Sequence, residues 1–243
     1  MKSVCIIGAG VAGITCADIL SSNGFQATIF EQSDKIGGVI NLIPDERFNK
    51  KIIKTWQSKL DNQNVKIVLN QNINLNSLDS LDFDIIIIAT GTQKCRFIDN
   101  IDGICAIEFL QTTCNPNQKI AVIGGGNVAL DCACHAARNN CATTIYYRKE
   151  EENLRASKHE IKLAKSFGVK FVFSFTEYES IIADQIVMAI GTEPDLPDNI
   201  ESNRIFVIGD AKTGASSISN AMNNARQMAN ELCRCYSSNS HEQ

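Results

Sequence analysis

The chain has 243 residues, of which 44% are hydrophobic and 21% charged, as is usual for a globular protein. Its net charge of −4 argues against nucleic acid or an anionic membrane as a partner. No apolar run approaches the length of a membrane span, and residues 1–3 lead into a strand pattern rather than a signal peptide, so we expect a cytoplasmic protein.

Strand and helix patterns alternate along most of the chain. The predicted strands are residues 4–8, 27–31, 65–69, 84–90, 119–124, 143–147, 169–173, 185–191 and 204–209. The predicted helices are residues 13–23, 50–63, 128–139, 157–167 and 218–233, and the polar tail 236–243 is expected to fray. This alternation predicts an α/β fold with parallel sheets that carry helices on their faces.

The first strand leads into a glycine-rich turn that opens a helix. The stretch GAGVAG, residues 8–13, is a complete G-x-G-x-x-G pattern, whose glycines permit a tight turn, close approach of a pyrophosphate and packing of helix on strand. Glu31 ends the next strand, where a carboxylate can accept hydrogen bonds from ribose hydroxyls. A dinucleotide site is therefore predicted, with a glycine-rich packing turn as the alternative. Its residues would be Gly8, Ala9, Gly10, Ala12, Gly13 and Glu31.

A second turn of the same kind lies in the middle of the chain. GGGNVA, residues 124–129, is a G-x-G-x-x-A pattern, and the strand that follows it ends in Arg148 and Lys149 instead of an acid. A guanidinium can pair with the 2′-phosphate of NADPH. The alternative is a solvated basic end that is balanced by the three glutamates at 150–152.

Two unlike nucleotide sites suggest electron transfer between two cofactors. The second site suits NADPH, which gives a hydride. FAD suits the first site, because it contains ADP and its ring system accepts a hydride.

Several segments resemble the flavoproteins with two dinucleotide-binding domains, and most closely the small-subunit family of NADPH-dependent glutamate synthase. They are GAGVAG, the stretch FEQSDKIGGVINLIPDERF, the strand IIIIATGT, the run from IAVIGGGNVALDCA to IYYRKEEENLRASKHE, MAIGTEPD, and RIFVIGDAKTGASSI. The resemblance implies two Rossmann-like three-layer domains. A discontinuous FAD domain would comprise residues 1–98 and 199–243, and a shortened NADPH domain, residues 99–198, would be inserted into it.

The resemblance also assigns cofactor-binding residues. Those implied for FAD, besides the first turn and Glu31, are Gly37, Gly38, Pro44, Gly91, Asp210, Gly214 and Ser217. Those implied for NADPH are Gly124, Gly126, Asn127, Val128, Arg148 and Lys149. Hydride transfer depends on alignment more than on a side-chain acid or base, so no catalytic residue is assigned.

The chain departs from that family in ways that leave two functions open. No four-cysteine run of the iron–sulfur kind is present, Lys149 and NLRAS stand where a second arginine and M-P-A-S are usual, and the stretches after residues 173 and 194 are short. One function is an oxidoreductase that passes electrons from NADPH through FAD to an iron–sulfur protein, a small molecule or a protein disulfide; a larger subunit is a candidate for the accepting partner. The other is a flavin-binding partner module with reduced turnover.

Ten cysteines are scattered along the chain without the C-x-x-C of the related thioredoxin reductases, so reduced thiols are expected. Cys132 and Cys134 lie two apart on a predicted helix and face different ways, which favours packing over a redox pair. Cys233 and Cys235, near the terminus, are candidates for a disulfide or a partner contact. No metal site is predicted, because His135, His159 and His241 lack ligand spacing.

Overall fold

A computed structural model describes residues 1–45, 47–198, 200 and 202–238. The chain divides into two compact units: unit 1 comprises Met1–Lys94 and Glu193–Gln243, and unit 2 comprises Cys95–Thr192. Both boundaries lie a few residues before those expected from the sequence. The assignment of FAD to unit 1 and of NADPH to unit 2 stays a prediction.

Every predicted helix and strand overlaps an element of the structure. The elements are β1 (Ser3–Ile7), α1 (Val11–Ser22), β2 (Gln26–Phe30), α2 (Lys51–Asn62), β3 (Lys66–Val68), β4 (Ile85–Ile88), β5 (Lys94–Cys95), β6 (Ile104–Cys105), α3 (Ala106–Phe109), β7 (Lys119–Ile123), α4 (Asn127–Arg138), β8 (Ala142–Tyr146), α5 (Lys158–Ser166), β9 (Lys170–Val172), β10 (Gln185–Met188), β11 (Thr192–Glu193), β12 (Ile205–Val207), α6 (Asp210–Thr213) and α7 (Ile218–Ser238). The sequence missed five short elements, which are β5, β6, β11, α3 and α6.

Unit 1 is built on a five-stranded sheet with the order β12-β4-β1-β2-β3, in which all neighbours are parallel. The four isoleucines of β4 are fully buried, as expected of a central strand that is covered on both faces. Helix α1 packs against α7, and their apolar residues share one core cluster with β1. This sheet confirms the predicted α/β class.

Unit 2 repeats the architecture with the strand order β6-β10-β7-β8-β9, again all parallel. Its core is formed by β7, β10, α4 and the single buried phenylalanine of α3, Phe109. Helix α5 begins with a capping box, in which Ser157 and Glu160 each satisfy a backbone N–H of the other.

The last helix is longer than predicted and runs to Ser238. Tyr236, which was expected to lie in the frayed tail, instead packs edge-on against Phe25 at 6.0 Å between ring centroids. The remainder of that tail, residues 239–243, lies outside the described residues. Within the described part of the chain, no helix has the length and apolar character to cross a membrane.

Candidate cofactor sites

The first glycine turn connects the carboxyl end of β1 to the start of α1. Gly8 has φ +105°, and a Cβ there would lie 2.6 Å from the carbonyl oxygen of Ala89. A Cβ at Gly13 would lie 2.0 Å from the carbonyl oxygen of Gly8. Around Gly10, by contrast, a Cβ would meet nothing within 4 Å. Two glycines are therefore needed by the fold itself, whereas Gly10 opens a space at the N-terminus of α1.

The predicted ribose acceptor lies at this turn. Glu31 is buried, and its Oε2 accepts a hydrogen bond of 2.7 Å from the backbone N–H of Ala9. Its Oε1 accepts from the N–H and the hydroxyl of Ser33, at 2.9 and 2.6 Å. A carboxylate offers about four acceptor positions, so it retains capacity for a further donor. The structure thus brings Glu31 to the glycine turn and gives it a structural role there.

Two further glycine segments converge on the same turn. The N–H of Gly37 donates to the carbonyl oxygen of Ala9 at 2.8 Å, and a Cβ at Gly38 would lie 3.1 Å from Cα of Gly10. After β12, a Cβ at Gly209 would lie 2.6 Å from the Cβ of Ala12. The next residue, Asp210, therefore begins beside the first turn of α1.

The region after Asp210 forms the entry to α7. Oδ1 of Asp210 accepts a hydrogen bond of 2.6 Å from Ser216 Oγ, and Gly214 has φ +78°. The Ser217 hydroxyl accepts from the N–H of Asn220 at 3.2 Å, as an N-cap does. Two other residues that the resemblance implies for FAD lie elsewhere in unit 1. Gly91 has φ +71° and follows β4. The carbonyl oxygen of Pro44 accepts hydrogen bonds from the N–H groups of Arg47 and Phe48.

The second glycine turn has the same construction in unit 2. Gly124 has φ +148°, and a Cβ there would lie 2.3 Å from the carbonyl oxygen of Ala189. Gly126 precedes α4, and a Cβ there would meet nothing within 4 Å. Asn127 and Val128 are exposed at the start of α4. The helix N-terminus is therefore open, as at Gly10.

The basic pair lies just beyond the carboxyl end of β8, and both side chains are exposed. Two of the three following glutamates bond elsewhere, since Glu150 accepts from the Ser174 hydroxyl and Glu151 pairs with Lys165 at 2.7 Å. Among the described residues, Arg148 and Lys149 have no salt-bridge partner. The arrangement disfavours the interpretation in which the glutamates neutralise them.

A model of the pyridine nucleotide-disulphide oxidoreductase family matches residues 2–203 of the chain. The chain belongs to this family. It is 32% identical over 199 residues to the glutamate synthase [NADPH] small chain of Escherichia coli K12, covering 71% of this chain and 42% of that protein. It is 30% identical over 190 residues to the NADP(+)-dependent formate dehydrogenase subunit beta of Moorella thermoacetica, covering 71% and 27%.

Solved structures support the same fold. Thioredoxin reductase of Lactococcus lactis superposes with a TM-score of 0.67 at 19% identity, covering 95% of this chain and 97% of that one. Membership of the oxidoreductase family confirms the predicted fold class, enzyme class and use of FAD and NADPH at the level of the family. The chain spans less than half the length of the two named relatives, whose names describe subunits.

The sequence did not predict two contacts at the second turn, one made by Gly125 with Tyr147 and one made by Arg155 with Gly125. A Cβ at Gly125 would lie 2.4 Å from the ring of Tyr147, whose hydroxyl donates to the carbonyl oxygen of Asn153 at 2.9 Å. The N–H of Arg155 donates to the carbonyl oxygen of Gly125 at 2.9 Å, while its side chain is exposed. Arg155 belongs to the NLRAS stretch, which was noted only as a departure. No spacing rule would have placed it at the turn, because the contact depends on the fold.

The expectation that all thiols are reduced is wrong. Cys95 and Cys105 form a disulfide, while the other eight cysteines are free. Cys132 and Cys134 are buried in the core of unit 2, as the packing interpretation predicts. Cys233 is half-buried and Cys235 exposed. Within the described residues, no three His, Cys, Asp or Glu side chains gather as metal ligands; His241 lies outside them.

Proposed function

We propose that the chain is an NADPH-dependent flavin oxidoreductase, with FAD held by unit 1 and NADPH by unit 2. The observation that carries the proposal is the pair of open glycine positions, Gly10 and Gly126, each at the N-terminus of a helix that follows a parallel strand. Such an N-terminus presents free N–H groups and a positive dipole end to phosphate.

The residues around the first turn suit an FAD molecule. A methyl group at Gly10 would occupy otherwise open space, which is where a pyrophosphate would approach the backbone. Glu31 carries acceptor capacity for ribose hydroxyls beside it. Asp210 and the N-terminus of α7 at Ser217 lie beyond the carboxyl end of β12, where polar groups could bind the rest of the cofactor. We assign FAD here because Glu31 would repel a ribose 2′-phosphate.

The second turn suits NADPH because its cations are available. Arg148 and Lys149 follow β8 with exposed side chains, and Arg155 is fixed to the turn through its own backbone. A guanidinium and a phosphate form charge-assisted hydrogen bonds, for which NADH has no counterpart. We therefore propose Arg148 as the main determinant of the nucleotide preference, with a smaller contribution from Lys149.

The chemistry of the reaction belongs to the cofactors. Bound FAD would take a hydride from the nicotinamide of NADPH. The residues of the chain bind and orient: the two helix N-termini hold pyrophosphates, Glu31 and Arg148 select the riboses, and the N-terminus of α7 would stabilise negative charge near the flavin. No side chain is required to move a proton in that step.

Electrons would leave to a second molecule. We propose an iron–sulfur protein or a larger subunit as the acceptor, because the relatives named above are a small chain and a beta subunit. A small-molecule acceptor is the other option. We also propose a cytoplasmic location, because eight of the ten cysteines are free and the disulfides found in cytosolic proteins are usually redox-active ones.

An anaerobic spectroscopic titration tests the proposal. The purified protein should bind FAD and show a flavin spectrum, and addition of NADPH should bleach it, with NADH less effective. A flavin-loaded protein that neither nucleotide bleaches would contradict the enzyme and favour the partner module. A protein without affinity for FAD would contradict both functions.

A further inference from the structure

The Cys95–Cys105 disulfide lies in unit 2, with a Cα–Cα distance of 5.9 Å and a sequence separation of ten. Both cysteines are half-buried, whereas six of the eight free cysteines are buried. A half-buried disulfide can be reached by a small reductant, so its position in the sheet determines what its reduction would change.

Both sulfur-bearing residues lie at the carboxyl edge of the unit 2 sheet. Cys105 is the last residue of β6 and pairs with Met188, the last residue of β10. On the other side, the N–H of Arg96 donates to the carbonyl oxygen of Gly191 at 3.1 Å, just beyond β10. Ligands of open parallel sheets bind at this edge.

The strand order also gives the side of the site. In the order β6-β10-β7-β8-β9, the glycine turn follows β7, Arg148 follows β8, and the disulfide lies at β6 and β10. Neighbouring strands are about 4.8 Å apart, so the disulfide is about 10 Å from the turn, on the side away from Arg148. If the adenosine phosphate binds Arg148, as the proposed function holds, then the nicotinamide half extends toward the disulfide.

The disulfide closes the loop 96–103, which connects β5 to β6. At its far end, β6 leads into α3, where Phe109 is fully buried in the core. At its near end, β5 pairs with β11 over only two residues, and so short a pairing is marginal by itself. Phe97 within the loop is 52% exposed. The near end is thus held by the Arg96–Gly191 hydrogen bond, the Lys94–Glu193 ion pair and the disulfide, which is its one covalent constraint.

We propose that Cys95–Cys105 is a reducible thiol–disulfide site whose state controls how firmly loop 96–103 holds the nicotinamide end of the dinucleotide. A dithiol reductant attacks one sulfur, the S–S bond breaks, and two thiols form as the reductant closes into its own disulfide. Two electrons and two protons pass to the protein. This proposal rests on the proposed function only for the identity of the ligand.

The four free cysteines of unit 2, Cys114, Cys132, Cys134 and Cys141, are all buried, whereas the disulfide is half-buried. Burial raises the pKa of Cys114 to about 11, and the pKa of Cys132 is also raised by burial. Both side chains stay protonated at neutral pH, and a protonated thiol is a poor nucleophile toward a disulfide. Cys114 and Cys132 are therefore poor competitors for this exchange.

Hydrogen exchange and alkylation test the site without reference to activity. In the oxidised protein, an alkylating reagent should leave Cys95 and Cys105 unlabelled; mild dithiothreitol should make both react and should speed amide exchange in loop 96–103. The C95S/C105S double variant should exchange fast with or without dithiothreitol, while Cys235→Ser should behave as the parent. Labelling of both cysteines before reduction, or unchanged loop exchange after it, would overturn the proposal.

Nucleotide measurements test the link to the nicotinamide. Because a loosely held reactant is misplaced, reduction of the disulfide should slow flavin reduction by NADPH by about tenfold to a hundredfold. The affinity for 2′,5′-ADP, which lacks the nicotinamide half, should stay unchanged. Equal rates of flavin reduction in the disulfide and dithiol forms would overturn the proposal that the disulfide controls nicotinamide binding. A flavin that NADPH bleaches in neither state would instead contradict the proposed function, and the exchange experiment would still decide the thiol–disulfide site.

Discussion

Replacement of Glu31 by alanine separates its structural role from its proposed role in FAD binding. Its carboxylate satisfies the buried N–H of Ala9, and alanine would leave that donor without a partner. An unsatisfied buried donor costs about 1–3 kcal/mol, whereas the half-exposed donors of Ser33 can turn to water. We therefore expect flavin-free Glu31→Ala to unfold with a free energy about 1–3 kcal/mol lower than the parent, measured by urea denaturation.

The same variant should also lose affinity for FAD. A hydrogen bond to a charged acceptor contributes about 1.5–3 kcal/mol, so the dissociation constant should rise by about one to two decades. Glu31→Gln should lose less stability, because it keeps an oxygen for the N–H of Ala9, and the exposed Asp34→Ala is the matched control. Unchanged stability would show that the N–H of Ala9 does not depend on the Glu31 carboxylate, and an unchanged dissociation constant for FAD would rule out the ribose role.

Four other changes have distinct expected results. Arg148→Ala should raise the dissociation constant for NADPH by about one to two decades and barely change that for NADH, as binding titrations would show. Gly126→Ala should leave the melting temperature unchanged, since its Cβ meets no atom, yet weaken NADPH binding about tenfold or more by intruding on the ligand. Arg204→Ala should lower the free energy of unfolding by about 2 kcal/mol, because the guanidinium donates to four backbone carbonyls between residues 78 and 83. Asp84→Asn should lower the melting temperature at pH 7, with a difference that shrinks on acidification, because hydrogen bonds from Lys2 and Ser3 hold the pKa of Asp84 below its usual value; its contribution is present above about pH 3.9 and is lost as pH falls through the lowered pKa.

Each of these has a control or a contrary outcome. Lys170→Ala removes an exposed cation at the start of β9, away from the turn, and should not alter nucleotide preference. Equal effects of Arg148→Ala on both nucleotides would make Arg148 a structural residue. A drop in melting temperature for Gly126→Ala would show that the position is not open. Arg204→Lys should recover little stability, since an ammonium cannot match the fork of the guanidinium, and a constant Asp84→Asn difference down to pH 2 would contradict the ionic role.

The glycine turns could be predicted from the sequence because their chemistry is local. Gly8 and Gly124 need positive φ, and each directly follows an apolar strand, so six residues carry the whole signal. Glu31 could be predicted for the same reason, since a fixed spacing links it to the turn. The hydrogen bond that Glu31 accepts from the N–H of Ala9 was not foreseen because it needs the folded sheet.

The missed features depend on contacts between residues that are distant along the chain. Strands β5, β6 and β11 have two residues each, which is too few to show an alternating pattern of apolar and polar residues. Cys95 and Cys105 carry no motif, and only the approach of β5 and β6 to the end of β10 brings them together. Helix α7 extends beyond its predicted end, and Tyr236 in this extension packs against the ring of Phe25.

We propose that this one chain carries out hydride transfer from NADPH to flavin. Single-turnover reduction of the FAD-loaded protein, followed anaerobically by absorbance, tests it most directly when NADPH is compared with NADPH that carries deuterium at the transferable position of C4. We predict that one equivalent of NADPH bleaches the flavin and that the deuterated nucleotide bleaches it more slowly. A flavin that stays oxidised in excess NADPH would contradict it.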